Sequence, residues 1–252
     1  MKSLFAFVVG ALFFAGCATP TPKPDPSLLR VGITPDSPPL IFEQGGGYAG
    51  VEADFARKIS AELGREPVFV KIPWSKQLDY LEDNRIDVVM SGMTVTPIRE
   101  FRVNFTKPYM VSGQTALFRR NDFAANGLVP SVIRHQNSTI GVVKDTTGEI
   151  YATNTYTRGK ILTFESKEAL VAALKSKKVN MAIHDAPVIW WIAANNEAEL
   201  AAFPELLNNE SLAWAVSKNN PALLEQINAV MEEMKNDDSG RKILQNWFPN
   251  GE

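Results

Sequence analysis

The feature that most constrains this chain is a repeated rhythm of short apolar runs and helical periods. From Leu28 onward, "LLRVGIT", "PVFVKI" and "RIDVVMSG" read as buried strands, with "VEADFARKISAELG" and "WSKQLDYLEDN" as amphipathic helices between them. The order then restarts. "STIGVV", "KILTF" and "VNMAIHD" are strands, and "TTGEIYATNTY" and "SKEALVAALKSKK" are helices. A strand that leads through a helix to the next strand makes a parallel sheet with covering helices. Meeting that unit twice predicts an α/β fold of two lobes. The two halves echo each other in arrangement and not in sequence. After Glu210 comes "SLAWAVS", read as a strand, and then two helical patterns, "NPALLEQINAVMEEMKNDD" and "SGRKILQNWF". Asn219 or Asn220 stands before Pro221 as a cap before a first helical position. Periodicity leaves open which lobe these last elements complete.

Composition removes several function classes. Hydrophobic residues make up 45% and charged residues 21%, enough for a substantial core. The net charge of −2 comes with basic residues scattered along the chain, which argues against a nucleic-acid face. The two histidines, His135 and His184, are far apart and offer no metal-ligand spacing. No G-x-S-x-G marks a serine hydrolase. A lone cysteine allows no intramolecular disulfide. That cysteine closes "MKSLFAFVVGALFFAGC", where Lys2 is a short positive region and Leu4–Phe14 an apolar one too short to span a bilayer comfortably. The segment resembles a bacterial lipoprotein signal. It implies cleavage after residue 16, a lipid on Cys17 and an extracytoplasmic, membrane-anchored location. Residues 17–27 are rich in proline and read as an extended tether. No later run of about 18 apolar residues appears.

In open α/β sheets, ligands gather beyond the carboxyl ends of the strands. The chemically distinctive residues stand there: Thr34-Pro35-Asp36, Trp74, Ser91-Gly92-Met93-Thr94, Lys144-Asp145-Thr146-Thr147-Gly148 and His184-Asp185. They are expected to converge on one cleft between the lobes. Taken singly, several have plainer readings. Arg99 alone on a short polar helix is a solvated charge, Asp185 is a helix cap before "APVIWWIAANN", His184 is a satisfied buried histidine, and Lys144 is an exposed lysine. Glu52 and Asp54 read as first-turn carboxylates on different helix faces, favoured by the helix dipole.

The segments "GYAGVEADFARKISAELG", "IDVVMSGMTVTPIRE", "NFTKPYMVSG", "IGVVKDTTGEIY", "MAIHDAPV" and "ILQNWF" occur in this order. Together they make the chain resemble the extracytoplasmic solute-binding proteins of family 3, polar amino acid receptors of ABC importers, near the glutamine-binding branch. The resemblance implies the two-lobed type II periplasmic-binding fold. Lobe 1 takes residues 28–111 and 213–252, lobe 2 takes 112–212, and the chain crosses near 110–114 and 209–213. By match, Arg99 pairs with the α-carboxylate of a ligand in the bidentate manner that suits a guanidinium. Thr94 and Gly92 add polar partners, and Thr147 and Gly148 add backbone N–H groups at a helix start. Asp185 accepts the α-ammonium. Trp74 packs on the ligand side chain, while Lys144, His184 and Thr34 stand at side-chain positions. Ser37 and Leu40 replace the usual second ring, leaving Phe42 as the aromatic of that loop. The implied protein is a monomeric receptor without metal or cofactor. It binds a polar L-amino acid, glutamine or glutamate, and delivers it to an ABC permease.

Two alternatives share this fold. One is an enzyme resembling cyclohexadienyl dehydratase, whose branch carries a glutamate three residues after the aspartate matched by Asp185. Val188 stands there instead. The other is a ligand-sensing module of a signalling or cell-wall system, which would use the same ligand-driven closure.

Overall fold

The computed structural model describes residues 25–122 and 137–248. Cys17, the expected signal segment 1–16, most of the proline-rich stretch and His135 lie outside the described residues.

The chain begins with β1 (Leu28–Ile33), then a small sheet of β2 (Asp36–Ser37), β3 (Ile41–Gln44) and β4 (Gly47–Ala49). Helix α1 (Val51–Glu62) leads to β5 (Glu66–Lys71). A 3-10 turn at Trp74–Lys76 opens α2 (Gln77–Glu82), which leads to β6 (Val88–Val89). After α3 (Pro97–Arg102) and β7 (Val103–Phe105), the chain leaves on β8 (Met110–Ser112). Beyond it come β9 (Gln114–Arg119), β10 (Thr139–Val143), α4 (Thr147–Thr155), β11 (Lys160–Phe164) and α5 (Lys167–Lys175). Strand β12 (Met181–Asp185), α6 (Ala186–Ala194) and β13 (Leu200–Ala202) follow. The chain returns on β14 (Glu210–Leu212) and ends with β15 (Ala215–Ser217), α7 (Pro221–Asn236) and α8 (Ser239–Trp247).

Two five-stranded sheets result, ordered β5-β1-β6-β15-β7 and β11-β10-β12-β9-β13. Each is mixed. The three strands read from periodicity in each half are parallel, and returning strands pair antiparallel beside them: β15 with β6 and β7, and β9 with β12 and β13. The sheets are joined by the antiparallel pair β8–β14, in which Glu210 stands opposite Ser112. Next to this crossing, a Cβ on Gly113 would overlap the Asn208 carbonyl, so only glycine lets the two strands meet there.

The final elements complete the first sheet's core. Leu223, Ile227 and Val230 of α7 pack with Leu29, Val31 and Ile33 of β1 and with Phe55 and Ile59 of α1. Burial of each such side chain contributes about 1.5–3 kcal/mol. In the second half the strands are buried on both faces. Ala116 and Phe118 of β9 join one cluster with Ile140 and Met181, while Leu117 between them faces Leu170, Leu174 and Ile189.

"SLAWAVS", read as one strand, is two. The break comes at Ala213 and Trp214. There the Trp214 N–H turns to Thr106 Oγ1 (3.1 Å), and its indole, fully buried, donates to Glu52 Oε2 (2.6 Å). A tryptophan with a fixed partner inside the core pulls the backbone out of the connecting ribbon and into the first sheet.

Candidate functional site

Strand ends deliver the site from both halves. A cavity of about 280 Å³ lies between the two sheets. Thr34, Trp74, Gly92, Thr94 and Arg99 line it from the first half, and Lys144, Thr147, His184 and Asp185 from the second. Those nine of the ten expected positions share one space. Gly148 sits buried behind it in α4, where a Cβ would come within 2.9 Å of Gln114 Oε1. The cavity is continuous in its lining with a wider groove of about 1600 Å³, which shares Trp74, Thr94, Arg99, Asp145 and Thr147 and runs along α3 and the crossing strands. Only the smaller space also contains Asp185, so the chemistry centres there.

Arg99 is set by a short, well-started helix. Thr96 caps α3 by accepting the Arg99 N–H (3.3 Å), and Pro97 occupies the first helical position. The guanidinium Nη1 donates to the Thr94 carbonyl (2.8 Å), and its carbon lies 5.2 Å from the Trp74 ring centre. Burial lowers the Arg99 pKa from its ordinary value, while the charges of Asp185 and Glu210 pull the other way. Two carboxylates thus face one half-buried cation.

Asp185 occupies the cap position of α6 but makes no side-chain cap bond. Its Oδ1 instead accepts Gln114 Nε2 (2.6 Å). Burial pushes its carboxyl up. The adjacent His184 ring, the Gln114 amide and Lys167 outweigh that and hold it below its ordinary value. The carboxylate therefore stays ionised and free of the helix it begins. His184 Nδ1 lies 2.7 Å from the Asp185 backbone nitrogen and 3.4 Å from Asp185 Oδ2. The shorter contact is the backbone N–H directed at Nδ1, and Nε2 carries a ring proton. That Nε2 is buried without a hydrogen-bond partner among the described residues.

Several expected residues are committed inside the protein. The Thr34 hydroxyl donates to the Ile72 carbonyl (2.8 Å) and accepts from Gln77 Nε2 (2.6 Å). The Gly92 N–H, at φ 68°, turns inward to Glu52 Oε1 (2.6 Å). The Thr94 hydroxyl donates to Glu210 Oε2 (3.0 Å). Lys144 is exposed and pairs with Glu165 at 3.5 Å. Trp74 donates Nε1 across the cleft to the Asp145 carbonyl (2.9 Å). Phe42 does not line the cavity; it packs beside Trp191 and Trp247, and Ser37 and Leu40 line the cavity with Trp74.

Three functional residues escaped the sequence reading. Gln114 is fully buried at the start of β9, with Asp185, Thr147 and Glu210 all within reach of its amide nitrogen. Glu210, on β14, carries no local motif. Glu52 lies in the first turn of α1, as expected, but its carboxylate also serves the core. It is fully buried and accepts from Gly92 N–H, Tyr109 Oη (2.7 Å) and Trp214 Nε1. Its burial, opposed by these three donors, raises its pKa from 4.5 to about 7. A signal was present, since Glu52 stands four and seven positions before Ala56 and Ile59, on the helix face that meets the core.

The profile of bacterial extracellular solute-binding proteins, family 3, matches residues 29–250. The chain belongs to that family. It is 24% identical over 221 residues to the L-cystine-binding protein TcyJ of Escherichia coli (strain K12), covering 87% of this chain and 82% of that one. The crystal structure of the ancestral amino acid-binding protein AncCDT-1, a precursor of cyclohexadienyl dehydratase, superposes with a TM-score of 0.81 at 30% identity, covering 88% and 96% of the two chains. An ancestral arginine-binding protein bound to glutamine gives 0.80 at 30% identity, covering 88% and 98%. The family assignment makes the chain an extracellular solute-binding receptor with the two-lobed α/β fold.

Proposed function

We propose that this receptor binds a polar L-amino acid between its lobes and presents it to an ABC permease. The observation that carries this is the facing of Arg99 and Asp185 across one small cavity. A guanidinium and an ionised carboxylate from opposite halves complement the two poles of an amino acid zwitterion. Only closure brings both to the same guest. Thr94, Gly92 and Thr147 stand at the carboxylate end with Gly148 behind them, and Trp74 covers the side chain.

The side-chain end favours glutamine or glutamate. The buried Nε2–H of His184 needs an acceptor, which an amide or carboxylate oxygen supplies and an alkylammonium does not. Lys144 is balanced by Glu165, and Lys167 by Asp36 at 2.9 Å, so neither net charge dominates the rim. Catalysis is disfavoured by Val188, which is 1% exposed in an apolar cluster with Leu40 and Leu212 where the dehydratase branch carries its acid. We further assign lipid anchoring through Cys17, a monomeric state, and lobe boundaries at the β8 and β14 crossings.

A thermal-shift screen of the standard amino acids and cystine tests the reading. A ligand at 100 times its Kd stabilises by about 2.7 kcal/mol, a rise of roughly 5–11 °C for a chain of this size. Arg99→Ala should abolish the shift for the responding amino acid while leaving the ligand-free midpoint nearly unchanged. No response to any amino acid, or an undiminished response in the variant, overturns the proposal.

A further inference from the structure

Glu210 stands on β14, one of the two strands joining the sheets, and its carboxylate collects donors from both sides of the cleft. Oε2 accepts the hydroxyl of Thr94 (3.0 Å) from the first half and that of Thr147 (3.1 Å) from the second, with Gln114 Nε2 also at 3.1 Å. Oε1 accepts Asn208 Nδ2 at 2.8 Å. The two hydroxyl oxygens lie 3.4 Å apart. Both residues are ones that the family resemblance assigns to a ligand carboxylate, Thr94 through its hydroxyl and backbone and Thr147 through its backbone N–H. Here a carboxylate supplied by the protein's own connecting strand holds them. The same Gln114 nitrogen also reaches Asp185, so the crossing strand and the ammonium-binding acid share one amide.

We propose that Glu210 is an internal anion at the crossing which draws Thr94 and Thr147 together and so populates the closed arrangement before any ligand arrives. Hydrogen bonds to an ionised acceptor are stronger than neutral ones. A single oxygen accepting from both halves converts them directly into cross-lobe attraction. Its location on the crossing strand makes this effective: one carboxylate oxygen holds a hydroxyl from each half, so opening must lengthen at least one hydroxyl contact. The ligand carboxylate is then left to Arg99 and to backbone N–H groups, and Glu210 acts as a positioning residue that sets how much closure the ligand must itself supply.

The test compares ligand-free scattering of the wild type, Glu210→Gln and Thr147→Val, after endogenous solute is removed by unfolding and refolding. Glu210→Gln keeps the shape but turns one acceptor into a donor that meets either Asn208 or the hydroxyls. The ligand-free radius of gyration should rise in both variants, and the double variant should open no further than either single one, because both remove the same link. Thermal midpoints taken in parallel separate this from a merely structural role, which would lower stability and leave the scattering unchanged. Unchanged scattering in Glu210→Gln overturns the proposal. This arm needs no ligand, so it stands or falls separately from the amino-acid reading. The second arm, which rests on that reading, titrates L-glutamine. Weaker binding in Glu210→Gln, by as many fold as the closed fraction falls, supports the inference. Tighter binding would mean that Glu210 competes with the ligand carboxylate, and would overturn it.

Discussion

Glu52 gives this receptor a pH dependence that can be isolated by one substitution. Its carboxylate is enclosed at the foot of the Gly92 loop, with three donors and no cation paired to it among the described residues, and burial raises its pKa from 4.5 to about 7. The folded protein therefore holds this proton more tightly than the unfolded chain does. The resulting stabilisation is fully present below about pH 4.5 and is lost as pH rises through about 7. At about 1.36 kcal/mol per pH unit, the gap corresponds to about 3 kcal/mol, or roughly 6–12 °C in midpoint for a chain of this length. Other carboxylates work in the opposite sense. Asp79 and Glu82, hydrogen-bonded by Arg102, are lowered, and they stabilise above their unfolded values. A single pH series on the wild type would mix these terms. Glu52→Gln removes the titration and keeps the others, so the informative quantity is the midpoint of the variant minus that of the wild type. This difference includes a constant penalty, because Gln must turn its amide nitrogen toward one of the three donors. It should become more favourable to the variant by roughly 6–12 °C between pH 4.5 and 8. A difference that stays flat across that range would show that Glu52 does not titrate there, and that its three hydrogen bonds outweigh its desolvation.

Two further substitutions probe the clamp. Asp185→Asn should weaken the responding amino acid far more than the same acid lacking its α-amino group, measured by calorimetry; an equal loss in both would reduce Asp185 to a partner of Gln114. Trp74→Phe keeps the aromatic wall but removes the bond to the Asp145 carbonyl, so affinity should fall by about 3–10-fold, the range of one net hydrogen bond, and unchanged affinity would show that this cross-cleft contact does not support closure.

Periodicity carried the fold a long way because both lobes are built from buried parallel strands and covering helices, each with a local signature. "KILTF" is a strand over its full length, and α7 begins at Pro221 behind the Asn220 cap, as its residues imply. What stayed hidden depends on long-range pairing. Strands β8 and β14 have three residues each, and their pairing is decided by where the two sheets sit. The small β2–β3–β4 sheet is likewise too short for its pattern to speak. Among site residues, those at strand ends were legible because topology brings strand ends together. Gln114 and Glu210 were not, since their partners lie up to 116 positions away in the sequence. Thr34 shows the converse: placed correctly at the cavity, it has its hydroxyl taken by Ile72 and Gln77, a commitment that no motif encodes.

The contacts that cross the cleft also explain why the ligand can control it. Trp74 to the Asp145 carbonyl is one hydrogen bond, worth about 0.5–1.5 kcal/mol net. Asp36 with Lys167 is a partly exposed ion pair, worth about 0–1 kcal/mol. Neither approaches the roughly 5.5 kcal/mol needed to carry a two-state equilibrium from nearly all open to nearly all closed. Glu210, with a hydroxyl from each half, adds to closure without using the charge of Arg99 or of Asp185. Those two charges are the groups whose best partners an amino acid brings, and charge-assisted bonds contribute about 1.5–3 kcal/mol each. Weak protein-to-protein contacts at the rim and crossing leave the lobes poised, and the strong contacts are reserved for the guest. A variant that strengthened the contacts Trp74 or Asp36 makes across the cleft should bind more slowly as well as release more slowly, because entry requires the same opening that release does.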